Sequence, residues 1–237
     1  MRDIYKDEAY FHERLEENTE DIEYFENVRR DILKASEVDE EYLYNNGGTL
    51  YDYYMQRIHL LYSIGTRDEE IPEYLKKCFG AQARFWTPTT GYVDLMQGLS
   101  FAVLSNEEVD TNALETLCEK LKEYDYGDWI VDYFIKYLRP DWEIRSTEFQ
   151  CKGFYESIKK VVEAVPEERI TILKEYLEKK WYRSNRQQYW HDSHKSINNT
   201  YFGYWSFESA AVMKILGEDD SLLKDQKYYP YYMNHMV

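Results

Sequence analysis

The stretch Tyr201-Phe-Gly-Tyr-Trp-Ser-Phe-Glu-Ser-Ala-Ala-Val-Met-Lys-Ile-Leu-Gly217 constrains the fold more than any other. At about 100° per residue, Trp205, Ser209, Val212, Ile215 and Leu216 share one face and Lys214 lies opposite, the pattern of a helix with one buried side. Asn199 or Thr200 is placed to cap its start, and Gly217 to close its end in a left-handed conformation. Ser209, Ala210 and Ala211 are small enough for a second backbone to approach closely. Glu208 is the exception, because it falls on the apolar side between Trp205 and Val212. A carboxylate there must be hydrogen-bonded, paired or protonated. The expectation is a structural Glu208 held by a Tyr hydroxyl, an Arg or a backbone amide, with a catalytic or metal-binding role as the competing reading.

Similar stripes recur from the first residues onward. Ile4, Phe11, Leu15, Ile22, Phe25 and Ile32 line one side of a long amphipathic helix over residues 1–34. Asn45-Asn-Gly-Gly48 reads as a break, followed by a helix with Leu50, Tyr54, Ile58 and Leu61 inward that ends at Gly65. Asp68 caps a third helix, with Ile71, Leu75, Cys78, Phe79 and Phe85 inward, and Thr87-Pro88 starts a fourth through Tyr92, Leu95, Met96, Leu99 and Val103. Asp110 opens a fifth on Leu114, Leu117, Cys118 and Leu121. Asp128 opens the next, with Trp129, Tyr133, Phe134 and Tyr137 inward and Pro140 as the stop. Residues 154–164 and 167–181 form a helical pair broken at Pro166, the second on Ile170, Leu173, Leu177 and Trp181. Strand-like alternation is absent, so the expected fold is all-α: a compact array of antiparallel helical hairpins, about ten helices, with no significant sheet. Tyr124–Gly127 is the natural boundary between an N-terminal half, 1–123, and a C-terminal half, 124–237, packed as one unit.

Charge separates these halves. Of a net −16, all is carried by residues 1–142, which hold 31 acidic against 15 basic side chains, while residues 143–237 hold 14 of each. Such a front half repels nucleic acid and anionic membrane, which need cationic side chains, and attracts a basic partner. It is concentrated on the outer face of the first helix, where Glu13, Glu16, Glu20 and Glu23 follow at spacings of three, four and three with no Lys between them. Asp128 and Asp132, one helical turn apart, are a second acidic pair. The 25 tyrosines are not interleaved with Lys or Arg as a base-stacking platform would be. Cys78, Cys118 and Cys151 are odd in number and form no Cys-x-x-Cys pair, which suits a reducing cytoplasm. Met1–Lys6 lack the apolar run of a secretory leader, and no apolar run has the length of a membrane span.

No phosphate-binding glycine loop, nucleophile elbow or His-Glu-x-x-His motif occurs. His191-Asp-Ser-His194 has a ligand-like spacing, and with Glu208 it defines the alternative reading, a metal-dependent hydrolase. Its polar surroundings favour a loop without metal, so no cofactor is expected.

The string Gly203-Tyr-Trp-Ser-Phe-Glu208, with Asp219-Asp-Ser221 and Tyr228-Tyr-Pro-Tyr231 after it, resembles the PoNe immunity protein family. The likeness extends more loosely through the acidic start and the segment Thr90–Leu104, over most of residues 3–232. Where the family usually reads Tyr-Pro-Tyr-Asp-Leu, this chain has Tyr232-Met233 after Tyr231, so one tail contact differs. The resemblance implies a cytoplasmic immunity protein, an antitoxin that neutralises a cognate DNase toxin of the PD-(D/E)xK type by protein–protein contact and protects the producing cell. It implies no catalytic residues, and it gives Gly203, Tyr204, Trp205, Glu208, Asp219, Asp220, Tyr229 and Pro230 a structural role. Glu13, Glu16, Glu20, Glu23, Asp128 and Asp132 are then the expected contacts to a basic toxin. Self-association is left open, and a helical adaptor without a toxin partner is a further alternative.

Overall fold

A computed structural model describes residues 1–105 and 109–236, and every regular element among them is helical. The main helices are α1 (Glu8–Lys34), α2 (Glu40–Ile64), α3 (Ile71–Phe85), α4 (Tyr92–Leu104), α5 (Thr111–Glu123), α6 (Trp129–Leu138), α7 (Glu156–Glu163) and α8 (Pro166–Tyr176). A π-helical turn, Leu177–Trp181, carries α8 into the short α9 (Tyr182–Ser184), and α10 (Phe207–Leu216) follows a long irregular segment.

Aspartates set four of the starts by accepting the orphan backbone N–H groups of a first turn. Asp7 receives Tyr10 N, Asp39 receives Tyr42 N, Asp110 receives Ala113 N, and Asp128 receives Ile130 N and Val131 N. Left-handed Gly65 and Gly217 close α2 and α10. Helix α1 packs on α2, α2 on α3, and α3 on α4 and α5; α4 then meets α6 and α10, while α7 pairs with α8. The apolar sides meet in one core, in which Phe101 of α4 lies edge-on to Phe207 of α10 at 5.1 Å. Among the described residues no helix is long and apolar enough to cross a membrane.

Several local signals were overridden. Ile4 precedes α1 and is 74% exposed. Helix α2 does not break at Asn45–Gly48 but runs through it. Buried Asn46 donates to Phe25 O at 3.0 Å, and Phe85 packs against the helix at Gly47 and Gly48. Tertiary packing therefore outweighs the weak helix propensity of that run. Asp68 begins a 3₁₀ turn before α3 and pairs with Arg2 instead of capping the helix. Thr87-Pro88 forms a turn closed by Thr90 N on Thr87 O at 3.0 Å, since proline suits a β-turn as well as a helix start, and α4 begins only at Tyr92. Pro166 begins α8, and Tyr137, 42% exposed, faces outward. The C-terminal motif is helical only from Phe207, with Ser206 in the capping position in place of Asn199 or Thr200.

Gly48 sits in the interior of α2 without a positive φ, and a methyl group there would meet Phe85 at an ordinary 3.7 Å. Gly48→Ala should therefore stabilise the protein by about 0.5–1 kcal/mol through reduced chain entropy, read from urea denaturation. A loss of stability would mean that the Phe85 contact tolerates no methyl group.

Candidate functional site

Helix α1 buries Phe11, Leu15, Asn18, Ile22 and Ile32, and the periodicity turns Glu13, Glu16, Glu20 and Glu23 to solvent. All four are exposed, and among the described residues no hydrogen bond or ion pair holds any of them. The adjacent cation, Arg14, is taken by Glu17. Unpaired like charges one turn apart cost a helix a few tenths of a kcal/mol each, so this face is not arranged for helix stability. Tyr24, 63% exposed, follows Glu20 by one helical turn and adds an aromatic ring to the same side.

Asp128 and Asp132 correct the sequence expectation of a second exposed acidic pair, since both are fully buried. Asp128 accepts from Gln150 N at 2.7 Å and Tyr92 Oη at 2.8 Å in addition to its capping bonds. Burial nevertheless holds its carboxyl above the usual range, against the pull of those donors. Asp132 accepts from Trp142 Nε1 at 2.8 Å and Arg145 N at 2.7 Å, fastening the segment after α6 back onto that helix. Nothing in a helical wheel distinguishes these two from surface acids, because apart from the Asp128 capping bonds their donors come from residues 92 and 142–150.

The C-terminal motif residues occupy a polar, aromatic knot. Gly203 has φ +117°, and a Cβ there would lie 2.2 Å from Ser63 Oγ, so both backbone shape and space require glycine. Trp205 Nε1 donates to the same Ser63 Oγ at 2.9 Å. Buried Tyr204 places its hydroxyl 2.8 Å from His194 Nδ1. Glu208 Oε1 receives Trp181 Nε1 at 2.6 Å and Ser206 Oγ at 2.8 Å, with the Tyr176 hydroxyl at 3.5 Å. Glu208 is half-buried beside a cavity of about 30 Å³ lined also by His59, Gln97 and Asn185. Burial raises its pKa, opposed by the hydroxyl and indole donors. Exposed Asp219 turns the chain by accepting Ser221 N, and buried Asp220 gathers Tyr229 Oη at 2.6 Å and His235 Nε2 at 2.7 Å. Pro230 is buried beside Tyr229.

The residues of the alternative metal reading are engaged elsewhere. His191 lies against the Tyr182 ring at 4.0 Å, His194 is held by Tyr204, and Glu208 is held by Trp181 and Ser206. Among the described residues no three His, Cys, Asp or Glu side chains are grouped to hold a metal ion. Sequence reasoning missed Ser63 and Asp3 as partners of the motif, and a lone Ser and a lone Asp carry no pattern that could have revealed them.

The result is a helical scaffold with a bare acidic face on α1. Two family models divide the chain: PoNe immunity protein (PoNi), N-terminal, over residues 2–118, and PoNe immunity proteins (PoNi), C-terminal, over residues 126–233. The chain belongs to the PoNe immunity protein family and is an immunity protein whose partner is a cognate toxin. No curated protein and no solved structure matches it.

Glu208→Ala leaves the Trp181 indole without its acceptor and should cost roughly 1–3 kcal/mol in chemical denaturation, whereas Glu208→Gln, which keeps an acceptor oxygen, should cost less. Unchanged stability in Glu208→Ala would remove the carboxylate from the fold.

His59 supplies a pH test. It is buried between Phe202 and Phe207, and desolvation lowers its pKa from 6.5 to about 3. The unfolded chain binds a proton near pH 6.5 and the folded one only near 3, so the contribution of this group is present above pH 6.5 and is lost as pH falls through that window. The slope is at most about 1.4 kcal/mol per pH unit, and His59→Gln should flatten it between pH 6 and 4. Parallel stability curves for variant and wild type would contradict a neutral buried His59.

Proposed function

We propose that this immunity protein neutralises a DNase toxin by laying the exposed face of α1 over the toxin's DNA-binding surface. The observation that carries the reading is the row Glu13, Glu16, Glu20 and Glu23, fully presented and unpaired on a helix whose other side is locked into the core. A DNase needs Lys and Arg to hold phosphates, and a rigid row of carboxylates competes for the same groups. The net charge of −16 extends the attraction beyond the contact and speeds encounter, while pairs desolvated at the interface set the lifetime of the complex. Inhibition is by occupation alone, with no chemical step, metal or cofactor, and takes place in the cytoplasm of the producing cell. The free thiols of Cys78, Cys118 and Cys151 are in keeping with that compartment.

The test is Glu16→Lys/Glu20→Lys against the cognate toxin domain at low and high salt. Both positions are exposed, so folding should be intact by circular dichroism and melting temperature. Association at low ionic strength should slow by about tenfold or more, and the difference should shrink as salt screens the field. Wild-type association rates at both ionic strengths would place the docking surface elsewhere.

A further inference from the structure

The inward line of α1 runs through Phe11, Leu15 and Ile22, and Arg29, seven residues beyond Ile22, continues it at about 100° per residue. Where the spacing calls for an apolar side chain, a guanidinium faces a half-open groove of about 620 Å³ between the α1–α2 end of the hairpin and α3. Leu43, Leu50 and Phe85 supply apolar wall, and Lys76 and Arg84 stand on α3. The other charges there are engaged or outlying. Arg84 is bonded to Gly80 O at 2.7 Å and lies 3.4 Å from Asp110, and Lys77 pairs with Glu73 at 2.8 Å and Glu26 at 3.1 Å. Glu40 is exposed on the first turn of α2, where a carboxylate suits the helix dipole. Among the described residues Arg29 has no hydrogen bond and no ion pair, and partial burial together with the nearby Arg84 charge lowers its pKa.

We propose that this groove receives a segment of the cognate toxin bearing a carboxylate beside an apolar side chain, the carboxylate on Arg29 and the apolar group against Leu50 and Phe85. An unpaired, half-desolvated guanidinium is complementary to a planar carboxylate, which it binds by two parallel hydrogen bonds. The groove is open at the surface, so a segment of a larger partner can enter without threading. Arg29 lies about 9 Å along the helix from Glu23 and on the opposite side of it, so the groove is a contact separate from the acidic row. On a chain of net −16, most carboxylates of an approaching surface are repelled, and a pocket that accepts one at a fixed place selects the partner and sets its register. This inference rests on the toxin-binding reading but not on the acidic row being the main contact.

The experiment compares wild type, Arg29→Met and Arg29→Lys as full chains against the cognate toxin domain by surface plasmon resonance, with melting temperatures of the free proteins alongside. Arg29→Met should dissociate at least about tenfold faster, associate within about twofold of wild type and melt no lower, because it loses no internal partner. Arg29→Lys should fall between the two, lacking the bidentate geometry. Carbodiimide coupling of the wild-type complex should join Lys76 to an Asp or Glu of the toxin. If Arg29→Met does not fold, Lys76→Glu provides the same kinetic comparison from an exposed position. A wild-type dissociation rate in the folded variant overturns the proposal while leaving the immunity reading intact; no binding by the wild type overturns both. Micromolar binding of phenylacetate to the free protein, abolished in Arg29→Met, would overturn the toxin segment as occupant in favour of a small carboxylate.

Discussion

Ser63, fully buried near the end of α2, is the point on which the chain's two ends depend. Its carbonyl accepts Arg2 N at 2.8 Å and Asp3 N at 3.2 Å, while its hydroxyl donates to Phe202 O and receives the Trp205 indole. The segment 201–206 crosses the core edge without regular structure, so its peptide groups need partners from outside the segment. Ser63 supplies one of them, for Phe202 O, and the Tyr10 hydroxyl supplies two more by donating to Tyr201 O and receiving Tyr201 N. Asp3 completes the clasp through the Tyr201 hydroxyl. Gly203 is confined to φ +117° because the strap lies this close to Ser63, and α10 can begin only once the strap has passed.

That clasp has a mechanical consequence for the acidic face. Helix α1 is held by its apolar stripe on α2 and, at its start, by Tyr10 on the C-terminal strap. Asn18 to Tyr53 O and the buried Arg57 to Leu15 O and Thr19 Oγ1 add polar ties along the α1–α2 seam. A helix fixed along its inner face and at its start presents its remaining side chains on a firm frame, which limits the ordering entropy that a partner must overcome. The C-terminal strap thus braces the start of the acidic helix.

The helical character was legible throughout because the apolar spacing is regular and the capping aspartates Asp110 and Asp128 stand where the periodicity begins. Glu208 was legible too, since a carboxylate on an apolar face must find donors, although their identity, Trp181 and Ser206, was not. The misreadings share one cause. Asn45–Gly48, Thr87-Pro88 and Tyr201–Ser206 are sequences whose local preference is weak or double, and contacts from distant residues chose among the options.

By itself, then, the sequence determined what depends on spacing along one helix: the all-α class, the inward stripes apart from Ile4 and Tyr137, and the outward row of Glu13, Glu16, Glu20 and Glu23. Its motifs, residue by residue, also determined the family. Tertiary structure alone decided which acids are surface and which are interior, removing Asp128 and Asp132 from the exterior by surrounding them with donors from separate segments. It alone placed Ser63 against Gly203 and left Arg29 facing an open groove. The physical reason is that burial and hydrogen-bond partnership are properties of pairs distant in sequence, whereas periodicity reports only on neighbours one turn away.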